Sequence, residues 1–220
     1  MNREARIPAW WLIPPVLFVV ANAVALNAGS SNVSRNGLYR PSVLVSAAIS
    51  AAVLGGYALL AARLAHVDVR AALALDPPAG VRHAARLVVL AVVVISLTGI
   101  ALEPLLHGDR RQGLTPTRMP HGREWLTLAI ALVLLGLLVP LCEELLFRGL
   151  GFAALHRFAV PLTATAFAIA HGLPALLPAV FVAGLALGEL RRRTGSLWPG
   201  VVVHAAVNVL GIVVALLESG

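Results

Sequence analysis

Three ionisable side chains fall close together within a stretch of otherwise apolar sequence. Glu143, Glu144 and Arg148 interrupt the hydrocarbon run of residues 126–152. A charge in a bilayer core costs about 2.5–3.5 kcal/mol on insertion scales, so an ionisable residue there has a functional interpretation by default. Glu144 and Arg148 are four residues apart and share a helix face, which favours an ion pair. Glu143 points about 100° away on the helical wheel, and we expect it to remain a free carboxylate.

A free carboxylate in a water-poor site can act as a general base toward water. Two more polar pairs follow at helical spacing, His171 four residues after Phe167 and Asn208 four residues after His204. At about 1.5 Å of rise per residue, the carboxylate, both imidazoles and the carboxamide fall in one leaflet or near the midplane. Amide hydrolysis needs a base for water and donors aimed at the developing oxyanion. These residue types therefore suit peptide-bond hydrolysis without a covalent acyl-enzyme.

Three ordered motifs in this half of the chain resemble those of the CPBP family of intramembrane proteases. That family includes the bacterial Abi-type proteins and the eukaryotic endopeptidases that trim prenylated CAAX proteins. Its motifs EExxxR, FxxxH and HxxxN match residues 143–148, 167–171 and 204–208 in this order. Residues 195–200, Gly-Ser-Leu-Trp-Pro-Gly, are also typical of it. The resemblance covers roughly residues 123–216.

The resemblance implies an endopeptidase of glutamic type that cuts a peptide bond near the cytoplasmic membrane face. Glu143 would activate a water, and His171 would assist it. His204 and Asn208 would stabilise the oxyanion. The implied substrate is a peptide or protein, and this class of substrate includes lipidated and membrane-embedded chains.

The resemblance also implies structural roles for residues next to the catalytic ones. Glu144 and Arg148 would form a structural pair. Phe167 is expected to pack against the ring of His171 rather than to take part in the chemistry.

Metal chemistry is an alternative that the residue types leave open. The resemblance implies a protease without a cofactor, but Glu143, His171 and His204 are all of zinc-ligand type.

The motifs of other intramembrane proteases do not occur in the sequence: a His-Glu-x-x-His zinc site, a Gly-x-Ser-Gly nucleophile loop and paired transmembrane aspartates.

Purely structural roles are the other alternative. His171 could bond a backbone carbonyl freed at the helix break of residues 171–174, and His204 and Asn208 could hold helices together. The chain would then be a non-catalytic membrane protein that binds or protects partners, as an immunity-type protein would. A small transporter is a weaker interpretation because no inverted repeat is evident.

The composition is that of a polytopic membrane protein. Hydrophobic residues make up 59% of the 220 residues and charged residues 12%, with a mean hydropathy of +0.88, which is too apolar for a soluble domain. Runs of the roughly 20 residues needed to span a bilayer occur at 9–28, 42–62, 84–106, 124–147 and 197–217, with shorter runs at 160–170 and 174–187. We predict an all-α bundle of about seven transmembrane helices, with short helices around an intramembrane cavity.

A single membrane domain, residues 1–220, is the simplest organisation. Residues 1–122 would form scaffold helices and residues 123–217 the catalytic core, because the second half holds nearly all the intramembrane polar side chains. All 17 basic residues are arginine. If the chain crosses the membrane seven times, eleven of them lie on one membrane face and six on the other. The richer face should be cytoplasmic, which predicts a cytoplasmic N-terminus. The resemblance implies that the membrane is a bacterial plasma membrane. The first apolar run is long for a signal peptide, so a retained helix is expected.

Other features of the sequence predict packing and exclude some partners. The net charge of +7 is interpreted as a signal of membrane topology. The sequence has no basic helix with interleaved aromatic residues, so we do not expect nucleic-acid binding. The expected partners besides the substrate are membrane lipids. The single cysteine, Cys142, excludes an intramolecular disulfide and is predicted to pack in the core. Gly184 and Gly188 favour a close helix contact. Residues 189–193 are predicted to form a solvated loop.

Overall fold

The structure, a computed structural model, describes residues 7–28, 36–106, 116–172 and 174–219. Every regular element in these residues is helical. The α-helices are α1 (Ile13–Ala28), α2 (Pro41–Leu64), α3 (Val69–Ala72), α4 (Val81–Leu106), α5 (Glu124–Val133), α6 (Val139–Glu144), α7 (Gly151–Leu155), α8 (Ala159–Ala170), α9 (Leu177–Thr194) and α10 (Trp198–Leu217). Two π-helical segments, π1 (Leu134–Leu138) and π2 (Leu145–Leu150), join α5 to α6 and α6 to α7. The predicted all-α bundle is confirmed.

Five helical runs in the described residues are long and apolar enough to cross a membrane. They are Pro41–Leu64, Val81–Leu102, Glu124–Ala170, Pro174–Thr194 and Trp198–Leu217, accompanied by the shorter apolar helix Ala9–Ala21. The predicted fourth and fifth helices lie within one run of 47 residues. The predicted end of the fourth at residue 147 was wrong, because the buried residues Leu150 and Ala154 continue its apolar face. The α-helical segment Gly151–Leu155 ends at His156, where φ is 50°.

The predicted loop at residues 189–193 was also wrong, because these residues form the last turns of α9. Leu187 and Leu190 are buried at helical spacing, so the packed face of the helix extends this far. Glu189 accepts hydrogen bonds from Arg192 and Arg193 three and four residues later, which favours the helical conformation. The helix ends at Gly195, whose φ of 67° suits glycine.

Hydrogen bonds between loops define two opposite ends of the bundle. The Leu197 N–H donates to the Ala74 carbonyl beyond the end of α2, whereas the Tyr39 hydroxyl, just before α2, donates to the Arg118 carbonyl. In both cases the two bonded loops are ones that the seven-span prediction places on the same side of the membrane. Which side is cytoplasmic stays a prediction. Five arginines that enter this assignment lie outside the described residues: Arg3, Arg6, Arg35, Arg110 and Arg111.

Small residues allow the helices that position the site to pack closely. A Cβ on Gly55 of α2 would lie 2.7 Å from Sγ of Cys142 on α6, so the buried cysteine is a packing residue as predicted. A Cβ on Gly184 would lie 2.9 Å from Cα of Ala164. The predicted close contact at Gly184 is therefore confirmed, and it brings α9 against α8.

Candidate active site

The predicted ion pair between Glu144 and Arg148 is present in the protein interior. Nη1 of Arg148 donates to Oε1 of Glu144 at 2.8 Å, and the two side chains are 1% and 0% exposed. Nη2 of Arg148 donates to the Gly184 carbonyl at 3.0 Å, and the guanidinium lies 4.5 Å over the Phe167 ring. Such added contacts offset the desolvation cost of a buried pair. The eleven arginines predicted for the richer membrane face include Arg148, but its charge is neutralised inside the bundle.

His204, on α10, lies between the two consecutive glutamates of α6. Its Nδ1 is 3.1 Å from Oε1 of Glu144, and its Nε2 is 3.6 Å from Oε2 of Glu143. An ionised carboxylate only accepts hydrogen bonds, so the ring donates its Nδ1–H to Glu144. The separation from Glu143 is within ion-pair distance and too long for a good hydrogen bond. Sequence reasoning missed the contact of Glu144 with His204 and treated Glu144 only as the partner of Arg148.

The two glutamates differ in burial as well as in partner. The Glu143 side chain is 17% exposed, against 0% for Glu144. The angular offset between consecutive helix residues explains the difference, because it turns Glu143 away from the interior position that Arg148 fills. Of the two acids, Glu143 is the one with access to its surroundings.

Phe167, on α8, contacts both imidazole rings of the candidate site. Its ring centroid is 4.8 Å from that of His171 and 5.4 Å from that of His204. The expected packing of Phe167 against His171 is confirmed. One phenyl ring therefore links the motif of α8 to the motif of α10.

His171 follows the last residue of α8 and bonds back to its own helix. Its Nδ1 lies 2.8 Å from the Phe167 carbonyl oxygen. Because a carbonyl only accepts, Nδ1 carries the proton, and Nε2 of the neutral ring is an acceptor for a water or another donor. A purely structural His171, which bonds a backbone carbonyl at the helix end, would make the same bond.

Asn208 connects α10 to the π-helical segment π1. Its Nδ2 donates to the Leu135 carbonyl at 3.0 Å. Pro140, just beyond π1, has no N–H for the carbonyl four residues earlier, which accounts for a widened turn at this place. A Cβ on Gly136 would lie 2.7 Å from Cγ2 of Val209, so this glycine lets α10 approach. Asn208 thus makes an interhelical bond and has a second N–H on the same nitrogen.

Gly200 is a site residue whose structural role sequence reasoning missed. A Cβ at this position would lie 2.9 Å from Oε2 of Glu144. That oxygen has no hydrogen-bond partner among the described residues. Gly200 precedes His204 by four residues and shares its helix face, so its spacing from the third motif was a signal that could have identified it.

An apolar cavity lies beside the residues of the candidate site, and the predicted cavity around those residues stays a prediction. A cavity of about 260 Å³ lies between α1, π2 and α8 and is lined by apolar residues that include Phe147. The Phe147 ring packs edge-on against Phe167 at 5.4 Å. Glu143, His171 and His204 are not among the residues that line it.

The zinc alternative has no ready-made ligand cluster in the described part of the chain. No group of three or more His, Cys, Asp and Glu side chains is placed there to hold a metal ion. His171, one of the three candidate ligands, turns its Nδ1 to a backbone carbonyl. Zinc binding by Glu143, His171 and His204 stays an untested alternative to the predicted protease without a cofactor, and chelation can test it.

Comparison with known proteins identifies the segment that carries the site. The family model for the Rce1-like type II CAAX prenyl endopeptidases matches residues 125–210. This segment begins in α5, ends in α10 and includes all the residues of the three motifs. No curated protein and no solved structure matches the chain. Over residues 125–210, which are 86 of the 220 residues, the chain is similar to the Rce1-like CAAX proteases, a family of peptidases.

Proposed function

We propose that the chain is an intramembrane endopeptidase of glutamic type that hydrolyses a peptide bond near the cytoplasmic face of a bacterial plasma membrane. The observation that carries the proposal is the position of His204 between two glutamates, with Nε2 3.6 Å from Glu143. An acid and an imidazole that face each other in a mostly buried setting can move protons and stabilise charge at one reacting centre.

Glu143 is the general base in this proposal. It takes a proton from a water molecule as the water oxygen bonds to the carbonyl carbon of the scissile peptide. Its partial exposure supports the choice, because water has no access to the fully buried Glu144. Nε2 of His171, opposite the nitrogen that bonds to the backbone, accepts a hydrogen bond from the same water. The proton then passes to the leaving nitrogen as the C–N bond breaks, and no acyl-enzyme forms.

His204 and Asn208 stabilise the negative charge on the tetrahedral intermediate. With a proton on Nε2, His204 donates to the oxyanion while Glu144 holds the ring through Nδ1. Asn208 donates its second N–H while the first is held by the Leu135 carbonyl. Donors fixed in advance in a water-poor site are worth more than the same donors in water.

A comparison of membranes tests the proposal and finds the substrate. Membranes that contain the native protein and membranes that contain the Glu143→Ala variant are compared by proteomics. We expect an uncleaved peptide or protein, lipidated or not, to accumulate in the variant and to be cut by the purified native protein in lipid. Equal cleavage by the purified Glu143→Ala variant would refute the assignment.

The same assay separates the zinc version of the mechanism. A glutamic peptidase keeps its activity in the presence of a strong zinc chelator. Loss of activity with recovery on addition of Zn²⁺ would assign the zinc mechanism to Glu143, His171 and His204 instead.

A second candidate function is a non-catalytic, immunity-type protein that binds or protects a membrane partner. The bonds of His171 and Asn208 to backbone carbonyls favour it, since both are bonds that a purely structural residue would make. This candidate predicts that the cellular phenotype persists when Glu143, His171 and His204 are each replaced by alanine. The peptidase predicts that each replacement removes the phenotype.

A further inference from the structure

A groove lies between α4 and α9, away from the residues of the candidate active site. Its volume is about 340 Å³, and the residues that line it include Leu90, Val94, Glu189 and Arg193. Leu90 is 58% exposed and Val94 39%, so the groove opens on the outer surface of the bundle. Its walls are apolar except at Glu189 and Arg193.

The end of the groove that holds Arg193 lies at one membrane–water interface. The turn that follows α9 is tied to the segment that precedes α4, because the Leu197 N–H donates to the Ala74 carbonyl and Nε1 of Trp198 donates to the Leu75 carbonyl. Helix α9 therefore ends at the face where α4 begins. Trp198 is 41% exposed, as expected of an indole at headgroup level. The groove runs from this level into the hydrocarbon.

Positive charge collects at this end of the groove. Arg193 bonds to Glu189 through Nε, which leaves its two terminal nitrogens for another acceptor. Arg82 and Arg86 are exposed in the first turns of α4. Arg86 is four residues before Leu90 and continues the same stripe of the helix that forms the groove wall. A guanidinium presents paired donors that match the oxygens of a phosphate.

We propose that the groove binds an anionic glycerophospholipid, with an acyl chain along the apolar wall and the phosphate at Arg86 and Arg193. A basic pocket between transmembrane helices at the interface is the usual setting for an anionic headgroup. Charge complementarity selects this occupant. A zwitterionic lipid adds a cation of its own near the arginines, and a second copy of the chain in a two-fold contact would bring arginines against arginines.

Lipid titration followed by native mass spectrometry tests the proposal independently of proteolysis. The purified protein is titrated with phosphatidylglycerol and, separately, with phosphatidylcholine of the same acyl chains. We expect phosphatidylglycerol to bind at least tenfold more tightly. Each arginine near an anionic headgroup contributes about 1 kcal/mol, so Arg193→Gln should weaken phosphatidylglycerol binding about fivefold and the double variant Arg86→Gln, Arg193→Gln about 25-fold.

Two further variants separate the groove from general surface charge. Arg63→Gln removes one exposed arginine at the end of α2, on the same membrane face and outside the groove, and should leave binding unchanged. Val94→Phe fills the exposed wall with all the arginines intact and should weaken binding of phosphatidylglycerol. Unfolding midpoints without added lipid show that each variant is folded.

Three outcomes would overturn the proposal. They are equal binding of the two lipids, an equal effect of Arg63→Gln and Arg193→Gln, and a lipid-free dimer that is lost in Val94→Phe.

Discussion

Oε1 of Glu144 accepts hydrogen bonds from both Nη1 of Arg148 at 2.8 Å and Nδ1 of His204 at 3.1 Å. A single carboxylate oxygen thus joins the buried ion pair to the imidazole that faces Glu143. The direction of Nε2 of His204 depends on this contact, because a ring held at Nδ1 has its opposite edge fixed. Changes to the ion pair should therefore affect stability and proteolysis in different ways.

Removal of Arg148 alone should destabilise the protein strongly. Arg148→Met leaves the Glu144 charge buried without its partner, and breaking a buried pair costs about 3–5 kcal/mol. The double variant Glu144→Leu, Arg148→Met removes both charges and should recover most of that stability. It should not recover proteolysis, because His204 has lost the acceptor for its Nδ1–H. Unfolding midpoints in detergent and cleavage rates check both statements. Recovery of native activity in the double variant would show that Glu144 does not orient the ring.

Gly200→Ala should perturb the site from the backbone of α10. The added Cβ would lie 2.9 Å from Oε2 of Glu144, so the buried carboxylate must shift, at a cost of about 1–3 kcal/mol and with a lower cleavage rate. The matched control in the same helix is Gly211→Ala, where the Cβ meets nothing within 4 Å. That control should be neutral or stabilise by about 0.5–1 kcal/mol through better helix propensity. Identical effects of the two variants on activity would contradict the close approach at Gly200.

Asn208→Ala should separate a catalytic role from a structural one. An interhelical hydrogen bond in a membrane protein is worth about 0.6 kcal/mol on average, so loss of the bond to the Leu135 carbonyl should change stability little. Loss of an oxyanion donor lowers kcat about 10²- to 10³-fold. We expect the large loss in kcat with the small loss in stability. A fall in activity that only follows the fall in stability would assign Asn208 to helix packing.

Contacts within one helix were predictable from spacing alone. Glu144 with Arg148, and Phe167 with His171, are neighbours four residues apart that meet in any helix, whatever the tertiary fold. The approximate positions of the apolar helices followed from hydropathy for a similar reason, since the bilayer sets their length.

Contacts between helices were not predictable in this way. The bond between His204 and Glu144 joins residues 60 positions apart, and it depends on how closely α10 approaches α6, which Gly200 controls. The prediction of a loop at residues 189–193 was wrong because it relied only on the charges of these residues. Leu190 among them is buried, and its packing keeps this segment helical. The division into a scaffold of residues 1–122 and a core of residues 123–217 stays a prediction.

The rate of peptide-bond cleavage by the Glu143→Gln variant tests the central claim most directly. Glutamine keeps the size of the side chain and removes the base, so the variant should fold like the native protein. With the substrate found by the membrane comparison and protein reconstituted in lipid vesicles, the single-turnover rate should fall by about 10²- to 10⁴-fold, the usual contribution of a general base. A Glu143→Gln variant that cleaves at the native rate would contradict the account.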